Sequence, residues 1–207
     1  MFLQADTFVI PTLKQDYPEW HLGRPWFSLW YLDIENAELT AYCEKLKQQF
    51  SQLLFQPNVR QLHITLFVCG FWQQQPHYPD DFSPVQLHLQ KQRLDELQLA
   101  PFHLTVQGIN SFDSALFLEV QDHTQSLHKI RQAFAAQHQE IAPLSYCPHI
   151  TLGLYHQALP SQQILDLIAA IETPSFELEV KSLSFGAYQA NILQGPLQVL
   201  DRYSLGH

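Results

Sequence analysis

The sequence has little that would place the chain in a membrane or outside the cell. Its 207 residues contain no apolar run that approaches the length of a bilayer span, and its N-terminus has neither the basic region nor the long apolar stretch of a signal peptide. The three cysteines, Cys43, Cys69 and Cys147, are an odd number at unrelated spacings. That count favours buried thiols over a disulfide framework or a zinc site. We therefore expect a cytoplasmic protein without a membrane partner.

Basic residues are also scarce. The chain has 11 Lys and Arg against 20 Asp and Glu, which gives a formal net charge of −9 at pH 7. Long nucleic acids are normally bound by clustered Lys and Arg, so a small nucleotide or an RNA end is a better expected partner than a long duplex. The 11 histidines form no compact His-x-His or His-x-x-x-His cluster with a matching carboxylate. We accordingly predict no metal and no other cofactor.

Apolar residues are abundant, and their spacing predicts a mixture of helices and strands. A hydrophobic content of 46% in 207 residues is enough to fill a substantial core. After an irregular lead-in over residues 1–25, the periodicity predicts strands over 26–35, 63–69, 102–109, 114–120, 149–155, 176–185 and 197–205. Helices are predicted over 36–54, with Asn36 as the N-cap, and over 87–99, 123–139 and 160–171. No flexible linker divides the chain, so residues 1–207 should form a single domain, which we expect to be a monomer.

One tetrapeptide, His-Ile-Thr-Leu, occurs twice, beginning at His63 and at His149. Each copy opens an apolar run typical of a strand. Residues i and i+2 of a strand point to the same face, so His63 should lie beside Thr65, and His149 beside Thr151. The isoleucine between each pair should face the core. Two copies of a reactive tetrapeptide indicate two halves of one active site.

When the sequence is aligned with itself at an offset of 86 residues, the distance between the two histidines, other positions match in addition to the motif. Asp33 falls on Glu119, and both units contain a strand, a helix and a strand that begins with the motif. The repeat predicts a duplicated α+β fold of two pseudo-symmetric lobes, with two antiparallel-rich sheets facing across a central cleft and helices outside. A third His-x-Thr, at His103, has only Glu177 as its counterpart in the other unit. We expect no functional role for His103.

Two facing imidazoles can act together as proton acceptor and proton donor near neutral pH. One would take a proton from water or a hydroxyl group, and the other would protonate a departing sugar oxygen. Thr65 and Thr151 could donate hydrogen bonds to the non-bridging oxygens of phosphorus as they gather charge. This is the equipment for cleaving a phosphodiester without metal. If their environments roughly cancel, His63 and His149 should give a bell-shaped rate profile centred near neutrality.

These motifs resemble those of the 2H phosphoesterases, and most closely those of the 2′-5′ RNA ligases and RNA 2′,3′-cyclic phosphodiesterases. The resemblance extends over about residues 26–205 and includes Pro57-Asn58 ahead of the first motif, Pro148 before the second, and a turn at Gly195-Pro196. It implies a bilobal fold in which His63 and His149 are the acid–base pair and Thr65 and Thr151 bind phosphate. The implied reaction is hydrolysis of a 2′,3′-cyclic phosphate on a nucleotide or RNA end, with RNA ligation as a reverse activity.

The chain departs from that family in the residues immediately after its motifs. RNA-acting relatives often carry an arginine there, whereas this chain has Phe67 and Val68 after the first motif and Gly153 to Tyr155 after the second. Arg24 and Arg60 are candidates to replace the missing cation, although a surface position is the simpler interpretation of each. Two alternatives therefore stay open, an ADP-ribose cyclic phosphate as the substrate and a nucleotide-binding module without turnover. Trp26, Tyr155 and Tyr188 are candidates for stacking on a substrate base.

Overall fold

The computed structural model describes residues 2–141 and 145–206. Within them the chain forms nine strands: Trp26–Asp33 (β1), His63–Trp72 (β2), Asp81–Phe82 (β3), Phe102–Ser111 (β4), Ala115–Gln121 (β5), His149–Leu154 (β6), Phe176–Val180 (β7), Ser182–Gln189 (β8) and Gln198–Ser204 (β9). The same residues form five helices: Pro18–His21 (α1), Ala37–Gln49 (α2), Pro84–Leu97 (α3), Ser126–Ala135 (α4) and Ser161–Ala169 (α5). The predicted helices and strands occur in the predicted order, with three differences. The short α1 lies in the segment predicted to be irregular, β3 lies where no strand was predicted, and the strand predicted over 176–185 is divided into β7 and β8.

Local side chains fix where the two longest helices begin. The Asn36 side chain accepts a hydrogen bond from the backbone N–H of Leu39, which confirms Asn36 as the N-cap of α2. Helix α3 begins three residues earlier than predicted, because Ser83 and Gln86 form a capping box and Pro84 occupies the first helical position. Both helices are therefore set by residues adjacent in sequence.

The strands form one curled, mainly antiparallel sheet in the order β7-β4-β5-β6-β2-β1-β8-β9, with β3 pairing in parallel with β2. The sheet has two halves of four strands, which we call the first half (β2-β1-β8-β9) and the second half (β6-β5-β4-β7). The halves are joined through β2 and β6 at a single residue pair, Ile64 with Ile150. The predicted α+β, antiparallel-rich architecture is confirmed, and its two predicted sheets are continuous with each other at this pair.

The segment predicted as one strand over 176–185 divides at Lys181 and serves both halves. Strand β7 pairs with β4 at the edge of the second half, whereas β8 pairs with β1 in the first half. Strand β4 likewise follows the first motif in sequence but belongs to the second half. The two halves therefore exchange strands, which couples them mechanically.

The main hydrophobic core lies on the side of the sheet that the helices cover. Leu39 of α2, Ile130 of α4 and Ile164 of α5 are fully buried together with Ile64 and Ile150. The core also contains Cys43 and Cys69, which are free thiols, while the free Cys147 is partly exposed. Among the described residues, no helix is both long enough and apolar enough to cross a bilayer.

Candidate active site

The two His-x-Thr motifs meet where the halves of the sheet join. His63 is the first residue of β2 and His149 is the first residue of β6. Ile64 and Ile150 are opposite each other in an antiparallel register and are 0% exposed. Their neighbours point to the other side of the sheet, which faces away from the main core and which we call the histidine face.

The antiparallel pairing of Ile64 with Ile150 also brings the four polar side chains of the motifs to the same junction. His63 and Thr151 lie on one side of this pair, and Thr65 and His149 lie on the other. The charge of His149 is close enough to lower the pKa of His63. All four residues are partly exposed. The structure therefore brings together two imidazoles and two hydroxyls in one accessible quartet.

Each imidazole is oriented by a backbone carbonyl two residues before it. The Nδ1 atom of His63 lies 2.8 Å from the carbonyl oxygen of Gln61, and Nδ1 of His149 lies 2.7 Å from that of Cys147. A carbonyl oxygen only accepts, so Nδ1 carries the proton in both rings. In the neutral histidine the Nε2 atom is then the free acceptor, and it becomes a donor when the ring is protonated.

The backbone edges of β2 and β6 beyond their single shared pair are covered by the segments that lead into the opposite motif. On one side, Phe55 N–H donates to Leu154 O at 2.7 Å, and the Asn58 side chain donates to Leu152 O at 3.2 Å. On the other side, the Tyr146 hydroxyl donates to Thr65 O at 3.1 Å. The two strands are therefore held by equivalent arrangements, which keeps both histidines at the same junction.

A charged cluster completes the support of β2. Arg131 of α4 donates to the carbonyl oxygen of Leu66 at 2.6 Å, forms an ion pair with Glu140, and lies 3.8 Å from the ring centre of Tyr146. Glu140 in turn accepts from the backbone N–H of Val68 at 3.0 Å. These bonds satisfy backbone groups immediately after the first motif. A cavity of about 840 Å³ beside this cluster is lined by α4 and does not include His63 or His149.

Both imidazoles are harder to protonate than a free histidine. Burial lowers the pKa of His63 from 6.5 to about 4; the Gln61 hydrogen bond opposes this, and the charges of Arg60 and His149 add to it. Burial also lowers the pKa of His149, against the opposing effect of its bond to Cys147. Both shifts have the same direction, so the two environments do not cancel, which was the condition for expecting a rate profile centred near neutrality.

Aromatic and acidic residues outside the two motifs flank the histidines. Tyr31 lies edge-on to His63 with 5.8 Å between ring centres, and Phe117 lies edge-on to His149 at 5.3 Å. Asp33 is opposite His63 across β1 and β2, and Glu119 is opposite His149 across β5 and β6. The 86-residue repeat aligns Tyr31 with Phe117, just as it aligns Asp33 with Glu119. The aromatic pair could therefore have been identified from the sequence repeat.

Neither candidate cation lies on the surface as expected. Arg24 is 7% exposed and forms ion pairs with Asp80 and Asp81, so its charge is neutralised within the protein. Arg60 is partly buried, stacks on Tyr188 at 3.9 Å from the ring centre, and is close enough to lower the pKa of His63. Of the two, only Arg60 is close enough for its charge to affect His63.

The remaining candidates lie away from the quartet or inside the core. Tyr155 is 0% exposed and its hydroxyl bonds to Ser111, so the predicted stacking role is corrected: the ring has no face available to a base. Trp26 is partly exposed and begins β1, seven residues from Asp33 and thus about 23 Å along the strand from the level of His63. His103 is exposed on β4, opposite Glu179 at the edge of the second half. Over residues 2–141 and 145–206, no group of three His, Cys, Asp or Glu side chains is arranged to hold a metal ion.

Comparisons with known proteins agree with this geometry. A model of the 2′-5′ RNA ligase superfamily matches residues 36–191. Apo E. coli LigT has a TM-score of 0.61 at 16% identity over 89% of this chain and 100% of that chain, and TT0787 of Thermus thermophilus has a TM-score of 0.60 at 16% identity over 87% and 98%. These identities establish the shared fold alone, and no curated protein sequence matches the chain. The family match spans well over half of the sequence, and the chain therefore belongs to the 2′-5′ RNA ligase superfamily, the 2H phosphoesterases, which supports phosphoesterase activity.

Proposed function

We propose that the protein is a metal-independent phosphodiesterase that hydrolyses 2′,3′-cyclic phosphates of nucleotides or RNA ends. The observation that carries this proposal is the equivalent orientation of His63 and His149. Each ring has Nδ1–H bound to a carbonyl oxygen, and Nε2 has no hydrogen-bond partner among residues 2–141 and 145–206. A pair of histidines fixed in this tautomer on one accessible face is suited to acid–base catalysis, because one Nε2 can accept a proton while the other donates one.

The reaction needs only these two rings, two hydroxyls and water. The neutral imidazole removes a proton from water, whose oxygen bonds to phosphorus. The P–O bond to one ribose oxygen then breaks, and the protonated imidazole transfers its Nε2 proton to that oxygen. Thr65 and Thr151 donate hydrogen bonds to the non-bridging oxygens, where negative charge increases in the transition state. The product is a phosphate monoester with one free ribose hydroxyl, and the two histidines have exchanged protonation states.

Because both histidine pKa values are lowered in the free protein, we expect substrate binding to change the protonation state of the site. With the pKa of His63 at about 4 and that of His149 also lowered, both rings are mainly neutral in the free protein at pH 7. An anionic phosphate bound between them stabilises an imidazolium, so it raises the pKa of whichever ring becomes the acid. The site therefore acquires its general acid as the substrate binds.

Charge and a structural relative both bear on the size of the substrate. The net charge of −9 favours a nucleotide or an RNA end over a long duplex. E. coli LigT has been crystallised with 3′-AMP and with phosphate, which supports a nucleoside phosphate as a ligand of this site. ADP-ribose cyclic phosphate belongs to the same reaction class.

The test is hydrolysis of the four nucleoside 2′,3′-cyclic monophosphates in EDTA. We compare the wild type with His63→Ala and His149→Ala, and use His103→Ala as the matched control because it removes a histidine from the third, exposed His-x-Thr. We expect several orders of magnitude less activity in the first two variants and wild-type activity in the control. Turnover that survives in both motif variants contradicts the two-histidine mechanism, and strong inhibition by EDTA contradicts metal independence.

A wild type that binds a nucleotide at micromolar concentrations but hydrolyses no cyclic phosphate would instead support the binding module. A 5′-hydroxyl RNA offered together with a cyclic phosphate end tests ligation. In that reaction the hydroxyl takes the place of water, and a 2′-5′ linkage is the product to be sought.

A further inference from the structure

Arg60 differs from the other arginines in having no acidic partner. The chain has five arginines, all within the described residues, and four of them form ion pairs with a carboxylate: Arg24, Arg93, Arg131 and Arg202. Arg60 instead donates from Nε to the carbonyl oxygen of Gly195 at 2.9 Å and stacks on Tyr188. Neither partner carries a formal charge, and no carboxylate of the described chain lies within ion-pair distance of the guanidinium.

The lack of an ion pair matters because Arg60 is not freely hydrated. Its side chain is partly buried, and burial lowers its pKa. A buried charge without a counter-ion is unfavourable, and such positions are normally stabilised by an opposite charge. An anion supplied from outside the chain would satisfy this requirement.

The face on which Arg60 lies is the histidine face. Tyr188 packs against a small apolar cluster of Leu29, Tyr31 and Leu197, which is separate from the main core. Tyr31 in turn contacts the ring of His63. The guanidinium that stacks on Tyr188 is therefore on the same side of the sheet as the catalytic quartet.

The register of the strands shows where this guanidinium lies relative to the motifs. Thr65 is opposite Tyr31 in β1, and Tyr31 is opposite Ser184 in β8. Tyr188 is four residues further along β8, about 13 Å along the backbone from the level of Thr65. The guanidinium stacked on Tyr188 is still close enough to His63 for its charge to lower the pKa of that histidine, so it lies between these two levels. The reacting phosphate belongs between the two motifs, and the guanidinium is therefore displaced from it toward Tyr188, on the side where a neighbouring group of the substrate would lie.

We propose that Arg60, held by Tyr188 and the Gly195 carbonyl, binds a second anionic group of the substrate, carried on the 5′-oxygen of the ribose whose cyclic phosphate is opened. This inference rests on the proposed function. When the 2′ and 3′ oxygens are closed in the cyclic phosphate, the 5′-oxygen is the ribose position left for another phosphate. A 5′-phosphate, the next phosphodiester of an RNA chain and the diphosphate of an ADP-ribose all place a negative charge there. Arg60 would then be a specificity residue that favours such substrates over a simple cyclic mononucleotide.

The test compares two substrates that differ only at the 5′ position, adenosine 2′,3′-cyclic phosphate and its 5′-phosphorylated form. The readout is the ratio of their kcat/KM values. We expect Arg60→Gln to lower the preference for the 5′-phosphorylated substrate about 10- to 100-fold, the usual effect of losing a charge-assisted contact. Arg60→Lys should retain part of the preference, because it keeps the charge without the planar fork. Equal loss on both substrates, or an unchanged ratio, overturns the proposal.

Two controls separate this role from changes in fold or total charge. Arg93→Gln removes the same charge from an exposed position on α3 and should leave the ratio as in the wild type. Thermal melting of Arg60→Gln reports whether loss of the Gly195 bond disturbs the fold. Any effect of the substitution on His63 changes kcat/KM for both substrates equally, so it does not change the ratio of the two values. A fall in the ratio of the Arg93→Gln variant equal to that of Arg60→Gln overturns the proposal.

Binding of unreactive ligands distinguishes failure of this proposal from failure of the proposed function. Calorimetry with adenosine 3′-phosphate and adenosine 3′,5′-bisphosphate measures the contribution of the 5′ group without turnover. A preference of the wild type for the bisphosphate that Arg60→Gln loses supports the anion site even if no cyclic phosphate is hydrolysed. Equal affinity of the wild type for both ligands refutes the anion site even if cyclic phosphates are hydrolysed.

Discussion

The lowered pKa of His63 makes a prediction about stability that is independent of any substrate. A group whose pKa is lower in the folded protein than in the unfolded chain binds fewer protons when folded. For His63 the two values are about 4 and 6.5. Between these pH values the unfolded chain takes up a proton that the folded protein does not. The free energy of unfolding should therefore fall as the pH decreases from about 6.5 to about 4, and this contribution is absent above that window.

The size of the effect can be worked out from the pKa difference. A difference of about 2.5 pH units corresponds to about 3 kcal/mol, at 1.36 kcal/mol per unit. His63 is partly exposed, so solvent screening reduces this value, and we expect about 1 to 3 kcal/mol. The stability of a domain is about 5 to 15 kcal/mol, so the loss is readily measured.

The assay is urea denaturation of the wild type and of His63→Asn at pH 7.5 and pH 4.5. The carboxylates and the other histidines titrate in both proteins, so the informative quantity is the difference between their pH dependences. The variant should lose less stability at pH 4.5 than the wild type does, by about 1 to 3 kcal/mol. His103→Asn is the matched control on an exposed site and should follow the wild type. Equal losses in the wild type and His63→Asn refute the reasoning.

Three further predictions concern the quartet and the junction beneath it. The proposed mechanism needs one protonated and one neutral imidazole, and both pKa values are lowered. We therefore expect kcat/KM measured from pH 4 to 9 to peak below pH 6.5, and a maximum at or above pH 7 contradicts this expectation. Thr65→Val should reduce kcat about 10- to 100-fold in steady-state assays by removing one hydroxyl donor, whereas Thr65→Ser should retain most of it; equal losses in both variants argue against hydrogen bonding. Ile150 is fully buried, so Ile150→Ala should lower the free energy of unfolding by about 2–5 kcal/mol and Ile150→Val by about 0.5–1.5 kcal/mol, measured by urea denaturation. An alanine variant with the same urea midpoint of unfolding as the wild type would contradict the packing argument.

Local patterns were sufficient to predict the faces of the motif strands and the start of α2. The alternation of a strand placed His63 with Thr65 and turned Ile64 into the core, because side-chain direction in a strand depends only on sequence position. The N-cap at Asn36 was predictable for the same reason, since the cap and the N–H that it accepts from are three residues apart. Both features depend on neighbours in sequence.

Long-range pairing was not encoded in those patterns. The apolar alternation of residues 176–185 is the same whether a strand pairs with β4 or with β1, so the division at Lys181 could not be seen. Arg60 was expected at the surface, but it is partly buried by contacts with Tyr188 and Gly195. These residues are more than 120 positions away in sequence, so no local pattern predicts the contacts. Burial of the Tyr155 ring likewise depends on its hydroxyl reaching Ser111, 44 residues away. Each of these errors concerns which distant segments come together.

The proposed acid–base pair is nearly symmetric, so under the proposed function the residues beside each histidine decide which ribose oxygen leaves. Arg60 lies on the His63 side, whereas Phe112 lies edge-on to His149, with 5.0 Å between ring centres. A nucleotide with its 5′-anion at Arg60 and its base toward Phe112 has one orientation. The base is attached next to C2′ and the 5′ group next to C3′, so O3′ should lie toward His63 and O2′ toward His149.

This orientation links the product to the identity of the acid. A 2′-phosphate product means that O3′ leaves and requires His63 to be the acid, whereas a 3′-phosphate product requires His149. The acid can be identified separately with a diester whose leaving group is p-nitrophenolate, because this group departs without protonation. The variant lacking the acid should retain most of its activity on that diester, while the variant lacking the base should not. A 2′-phosphate product together with His149 as the acid, or a 3′-phosphate product together with His63, would refute the orientation, because the proton donor would then face the oxygen that stays on phosphorus.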